Sequence, residues 1–257
     1  MPYRVLYLLV LIGCEAVQLH PCAQADCGLF PEVGVDDGRV DDGGASDGGL
    51  TDGAADSTGG RTGRINLIDR ETAQPISGAQ VTVADITKTT DGQGRVSYTF
   101  DQGLFELRVD VFDRDTHRLV GHATDTDFEQ LLFIWSPQLW DALLLPHQKF
   151  YDARMAQLVV GLIDGRGQPA VGAQVQVSSA NDGPLTIQRQ TTREAVAIAA
   201  NDEAWVLFPN TLPGRVEIAP VGPDGQPCLA FPGRVPLVQL ELLADEVTTV
   251  IYLCESP

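Results

Sequence analysis

Apolar and polar positions alternate along this chain in short runs. Ile65 and Leu67 flank one polar residue, as do Val81 and Val83, which is the signature of strands with one buried face. The same alternation runs through Val96-Ser97-Tyr98-Thr99-Phe100 and through Phe105 to Val111, after a turn at Asp91-Gly92-Gln93-Gly94. Pro75 and Gly78 punctuate the first connection, Pro by fixing φ and Gly by allowing positive φ. Further on, Trp205 to Phe208, Val216-Glu217-Ile218 and the closing Val247 to Leu253 read the same way, with Pro213-Gly214 between the first two. Short strands with Gly/Pro turns every ten residues or so predict an all-β chain of antiparallel sandwiches. One segment breaks the pattern. Ser136 followed by Pro137 is an N-cap with Pro at the first helical position, and Leu139, Trp140, Leu143 and Leu144 form a stripe at helical spacing before Pro146. This predicts a short helix packed on a sheet, with Phe128, Leu132 and Trp135 feeding the same core.

The chain also repeats itself. Leu67-Ile68-Asp69 and then Gln74-Pro75-Ile76-Ser77-Gly78-Ala79-Gln80-Val81-Thr82-Val83 are matched by Leu162-Ile163-Asp164 and Gln168-Pro169-Ala170-Val171-Gly172-Ala173-Gln174-Val175-Gln176-Val177, with seven of ten positions identical in the longer block. A spacing of 94 residues is too long for a solenoid and suits two tandem domains. The pattern Asp-x-x-Gly-x-Pro-x-x-Gly-Ala-x-Val-x-Val, from Asp164 to Val177, resembles the carboxypeptidase regulatory-like domain, also described as transthyretin-like or Cna-B-like. The first copy departs by one inserted residue between Asp69 and Pro75. The resemblance covers residues 61–125 and 157–257 and implies a transthyretin/Ig-like sandwich in each. Such modules serve as spacers, stalks, adhesins and sugar-binding units, so it implies no single function. Some carry a Lys–Asn isopeptide bond, but the second copy has no lysine after Lys149, which excludes the bond there unless Lys149 takes part, and Lys88 lies beside a turn after the strand that would have to supply it.

The N-terminus reads as an export signal. Arg4 precedes an apolar run from Val5 to Ile12, too short to span a bilayer, which needs roughly 20 residues. Leu11-Ile12-Gly13-Cys14 resembles the lipobox of bacterial lipoproteins, which implies a diacylglycerol on Cys14 and a signal peptide of residues 1–13. Ordinary cleavage after Ala23-Gln24-Ala25 is the competing reading and would give a periplasmic or secreted protein. Glu15 behind the anchor favours the outer membrane. With Cys14 lipidated, four of five cysteines remain, and local bridges Cys22–Cys27 and Cys228–Cys254 are the simplest pairing. Residues 14–35 thus form an anchor and Cys-containing spacer. Residues 36–60 hold seven Asp and eight Gly against one Arg and read as a solvated tether, which as a random coil spans roughly 25–30 Å. The first sandwich is expected over 61–128, a helical connector over 129–156 and the second sandwich over 157–257.

Charge narrows the partners. Seventeen basic residues against 35 acidic give −18, which disfavours nucleic acid and anionic lipid surfaces. No residue set calls for a cofactor or metal. Gly44-Ala45-Ser46-Asp47-Gly48 matches a nucleophile elbow only by low complexity. His117 and His122 fall on opposite faces of a strand, as solvated or capping residues, and Asp110, Asp113 and Asp115 lack the Gly and distal Glu of a calcium loop. Trp135, Trp140 and Trp205 read as core, with Trp205 the candidate for stacking on a sugar; Arg215, Arg234 and Tyr98 are candidate groove residues. The expectation is a non-catalytic, lipid-anchored surface protein that engages a protein or polysaccharide. Its alternatives are a carbohydrate-binding module and, more remotely, an inhibitor inserting the Pro/Gly-rich loop 219–236 into a partner's cleft.

Overall fold

Strand formation starts where the alternation does. The computed structural model describes residues 61–124, 126–188 and 191–254. In the first half, β1 (Arg61–Asp69), β4 (Arg95–Phe100) and β7 (Phe128–Ile134) form one sheet in the order β4-β1-β7. Against it lie β2 (Gln80–Val83), β3 (Ile86–Thr89), β5 (Gly103–Asp110) and β6 (Thr116–Ala123), in the order β3-β2-β5-β6. Alternate residues of both sheets meet in a core that includes Ile65, Leu67, Val81, Phe100, Leu107, Leu119 and Leu132. This is the half-buried pattern that period-2 sequences dictate.

The second half repeats the plan. Its strands are β8 (Ala156–Ile163), β9 (Gln174–Val177), β10 (Leu185–Gln188), β11 (Thr191–Glu194), β12 (Trp205–Thr211), β13 (Gly214–Val221), β14 (Leu229–Ala230), β15 (Gln239–Leu242) and β16 (Glu246–Leu253). β8 pairs antiparallel with β12 and parallel with β16, as β1 pairs with β4 and β7. β9-β13-β15 reproduces β2-β5-β6. The repeated Asp turns match as well. Asp69 Oδ1 accepts from the Glu71 and Thr72 amides, and Asp164 Oδ1 from those of Arg166 and Gln168, at 2.8–2.9 Å. In both copies the Asp side chain closes the turn that the sequence repeat encodes.

The two sandwiches are fused through a sheet. β6 of the first pairs in parallel with β16 of the second, from Thr116↔Glu246 to Val120↔Val250. One sheet therefore runs β11-β10-β12-β8-β16-β6-β5-β2-β3, with β14 added against β16. The seam carries a buried ion pair. Arg118 Nε lies 3.6 Å from Glu246 Oε2, with both side chains less than a tenth exposed, and Arg108 Nη1 lies 3.3 Å from Glu246 Oε1. Arg118 also donates to Thr248 Oγ1 at 3.3 Å and to the Glu241 carbonyl. Expectation and structure differ in two respects here. Alternation predicts sandwiches that are antiparallel throughout, whereas each contains a parallel pair and the seam is a third. It also leaves the helical segment to join them, whereas main-chain pairing does so.

The helical segment serves as a cover. α1 (Pro137–Leu144) starts at Ser136, whose Oγ accepts from the Leu139 amide at 3.0 Å, and passes into a 3-10 turn over Leu145–His147. Trp140, Leu143 and Leu144 pack with Trp135, which follows β7, and with Val159, Ile163, Trp205, Leu207 and Ile251 on the outward face of β8, β12 and β16. The inward face of the same strands packs on a separate core with Leu158, Val160, Val206 and Val250. Every residue of β8, β12 and β16 is consequently buried. Phe128 and Leu132, expected beneath the helix, belong to the first sandwich instead, and segment 129–156 opens on a strand. Pairing with β1 turns β7 toward the other core.

The seam's ion pair sets a first prediction. Glu246→Ala leaves the buried Arg118 guanidinium with only the half-exposed Glu106, which also lies 3.6 Å away, and is expected to destabilise the fold by about 3 kcal/mol. Arg118→Met combined with Glu246→Leu is expected to recover most of that loss, because two apolar side chains need no partner. Urea unfolding followed by tryptophan fluorescence checks both variants.

Candidate functional site

Strand register gathers five connections at one pole: the β5–β6 turn (111–115), the stretch 148–155 before β8, the loop 178–184, the β12–β13 turn (212–213) and the β15–β16 turn (243–245). A shallow open groove at this pole is lined by residues of 148–154 with Asp182 and Asn210. Asn210 is its hub. It sits at φ 49, a left-handed conformation that Asn tolerates better than most residues. Its amide nitrogen donates to the Phe150 carbonyl at 2.7 Å and to Asp182 Oδ2 at 2.6 Å. Its amide oxygen accepts from the Asp152 N–H at 3.0 Å and from Gln157 Nε2 at 3.3 Å. Arg154 grips Asp152 with Nη2 and Nε at 2.8 and 3.0 Å, and its guanidinium pulls that carboxyl down to about 2. The Tyr151 hydroxyl lies beside Asp115. Burial raises both groups above their ordinary values, and Asp115 raises the phenol further.

Nearby, three side chains mimic a nucleophile, base and acid. His147 Nε2 lies 2.8 Å from Thr192 Oγ1, and His147 Nδ1 lies 3.9 Å from Glu194 Oε1. The hydroxyl proton decides what they do. Thr192 Oγ1 donates to the Leu143 carbonyl at 2.8 Å, so the imidazole donates to that oxygen and does not accept from it. Glu194 is held by Lys149 Nζ at 2.6 Å, a bond that lowers its carboxyl. The set fastens the C-terminal end of α1 to the edge strand β11. Sequence reasoning misses it because its members lie 45 residues apart.

The residues singled out from sequence are dispersed. All three tryptophans are buried: Trp140 completely, Trp135 at 1% and Trp205 at 5% exposure. Trp205 meets Phe133 edge-on with centroids 5.6 Å apart, and a Cβ on Gly161 would come within 2.9 Å of its ring. Stacking on a sugar needs an open ring face, and Trp205 has none because the connector covers its side of the sheet. Cys228 and Cys254 form a disulfide with S–S 2.08 Å. Cys14, Cys22 and Cys27 lie outside the described residues. That disulfide and the pairing of β14 with β16 hold the loop 219–236 down near its middle, so it is not a free inserting loop. Tyr98 is buried with its hydroxyl donating to the Val81 carbonyl, and Arg215 donates to Gln239 Oε1. Lys88 Nζ bonds the Ser97 carbonyl at 2.6 Å over the Tyr98 ring.

Of the solvated and capping roles expected for His117, the structure shows the second. It is fully buried on β6, with Nδ1 2.9 Å from the Asp115 carbonyl and Nε2 accepting from the Trp135 amide at 2.8 Å. Those two contacts require Nδ1–H and a bare Nε2, the neutral imidazole. The ring ties the junction strand to the start of the connector. Arg70 adds a tie between the two halves: it pairs with Glu203 and lies over the rings of Phe133 and Trp135, at 5.3 and 5.6 Å.

No protein-family model and no curated protein matches the chain. Solved structures with similar elements include a 5-hydroxyisourate hydrolase of Klebsiella pneumoniae, at 17% identity over 29% of this chain and 90% of that one, TM-score 0.25. A minor pilin of Streptococcus agalactiae aligns at 10% identity over 77% of this chain and 96% of its own, TM-score 0.25. The TIE protein of Bacillus anthracis aligns at 10% identity over 76% of this chain, TM-score 0.26, and the match spans about a third of its length (35%). The chain's own sheets establish the all-β sandwich architecture.

Burial depresses His117 from 6.5 to about 4, aided by the Arg114 charge and opposed by the bond to Asp115. The unfolded chain therefore binds a proton that the fold refuses between those two values. The stabilisation is complete above pH 6.5 and is lost as pH falls toward 4, a change of about 3 kcal/mol. His117→Gln is expected to flatten this part of the stability profile relative to the natural chain, measured as unfolding free energy against pH.

Proposed function

We propose that this chain is an exported, non-catalytic surface protein, held to a membrane by a lipid on Cys14 and presenting a double sandwich that docks a partner. The observation that carries the reading is the Cys228–Cys254 disulfide. Both cysteines are buried, and the bond links the 222–236 loop to the end of β16, the strand the two sandwiches share. Structural disulfides persist in oxidising compartments, which agrees with the apolar leader and with cysteines absent from the rest of the sandwich region. A fused pair of sandwiches suits display, because their relative orientation is set by sheet pairing and not by a linker. In this reading the Asp/Gly-rich residues 36–60 supply reach, and the lipobox-like Leu11-Ile12-Gly13-Cys14 supplies the anchor.

Three measurements check it. Cys14→Ser is expected to move the protein from the detergent phase to the aqueous phase and to abolish acyl labelling; an unchanged partition refutes the anchor. Protease added to intact cells is expected to cleave the protein, and protection until the outer membrane is opened would make it periplasmic. Reducing the 26-residue loop closed by Cys228–Cys254 is expected to lower stability by about 3–4 kcal/mol, read as a shift in the denaturation midpoint.

A further inference from the structure

We propose that the pole carrying the five connections is the docking surface itself, and that it fits a basic protein segment bearing apolar side chains. The inference rests on the surface reading above and names the class of partner. Phe112 is 91% exposed, Phe150 69%, Leu212 50% and Leu243 43%. Single exposed apolar residues are ordinary, but here four sit on four different connections of one pole, where turn chemistry favours polar residues. The connections hold one another. Asp115 lies beside Tyr151, Phe150 hangs on Asn210, the Leu212 amide donates to the Ala180 carbonyl at 3.0 Å, and the Asp245 amide donates to the Met155 carbonyl at 3.3 Å. The apolar groups are thus displayed on braced backbone, which lowers the ordering cost of binding.

Charge selects the occupant. Three cations of this pole are ion-paired, Arg114 with Asp69 at 2.5 Å, Lys149 with Glu194 and Arg154 with Asp152, and Arg215 donates to Gln239 Oε1. Asp113, Asp141, Asp182 and Asp245 have no ion-pair partner among the described residues. A second copy docking through the same face would oppose these carboxylates to themselves. The chain's own segment 36–60, at seven Asp against one Arg, is repelled as well, and so is an anionic lipid surface. A Lys/Arg-rich segment with apolar side chains meets both features of the surface. Placement agrees. Arg61 opens β1 opposite Phe100, at the end where Gly103 pairs with Ala123, so the chain enters at the far pole.

The test uses the full chain and short synthetic peptides of alternating Lys and Leu, with Lys/Gly and Glu/Leu peptides as controls. Saturable binding to the Lys/Leu peptide alone is expected, weakening as salt rises. The double variant Phe112→Ser with Phe150→Ser is expected to weaken it by at least about tenfold. Leu104→Ser, 60% exposed at the entry pole, is expected to change nothing. Equal binding to the Lys/Gly peptide, indifference to the double variant, or no binding overturns the proposal. So does self-association of the natural chain, by sedimentation, that the double variant removes. Failure here with cleavage still seen on intact cells removes only this docking surface, whereas protection of intact cells removes the surface reading itself.

Discussion

Everything else in this molecule depends on β16. The last strand in sequence is the middle strand in space, parallel to β8 on one side and to β6 on the other, with β14 completing its C-terminal half. All eight of its residues are buried, from Glu246 in the seam's ion pair to Leu253 beneath the connector helix. Parallel neighbours demand long connections, and β6 and β16 meet across about two thirds of the described chain. Closing the chain into this seam carries one of the larger loop-closure costs of the fold. Disulfide-bonded Cys254 comes directly after the strand and fixes its end.

The same plan explains why the fusion occurs once. In the repeat, β15 corresponds to β6, and the stretch matching the seam is residues 235–239. There Pro236 offers no N–H, and Val235 is already bridged to Ala230. At the other end, β7 corresponds to β16. It borders its sheet with Glu129, which accepts from Asn66 Nδ2 at 2.6 Å and lies 3.8 Å from Arg64 Nη1. Charge on one edge and proline on the other are two means by which sheets avoid further pairing. A repeat that joins internally is thus blunted where another join would begin.

Alternation can encode one buried face and little more, and that decides how much of this fold is legible in the sequence. Period-2 runs mark β1, β2, β4, β5 and β13, and the duplicated Asp-to-Val block marks two equivalent sandwiches. The run Leu158-Val159-Val160-Gly161-Leu162-Ile163 carries a subtler hint. A continuous apolar strand is one buried on both faces, and its second cover is the connector. Trp205 invites sugar stacking only if its strand has one open face, and the connector closes that face. His117 looks like an ordinary strand histidine; what buries it is a backbone N–H and a backbone carbonyl, which no side-chain pattern records. The seam is illegible for the same reason, since main-chain pairing between distant strands leaves no local signature beyond burial.

The direction of the seam matters as much as its existence. Because β6 and β16 run parallel, the start of one lies beside the start of the other. The turn before β6 thereby comes to rest against the stretch before β8 and the turn before β16. Phe112 is contributed by the first sandwich, Phe150 by the connector, and Leu212 and Leu243 by the second sandwich. An antiparallel seam would send Phe112 to the opposite end, and a flexible linker would leave its position unfixed. The buried Arg118–Glu246 pair adds little net stability for its desolvation cost, but it favours the register in which Thr116 faces Glu246. A slip of one residue between the strands would leave the two charges on opposite faces of the sheet, one of them unpaired among apolar side chains. Register, polarity and the composition of the pole are therefore settled by one strand pair, and the docking surface is a property of the seam more than of either sandwich.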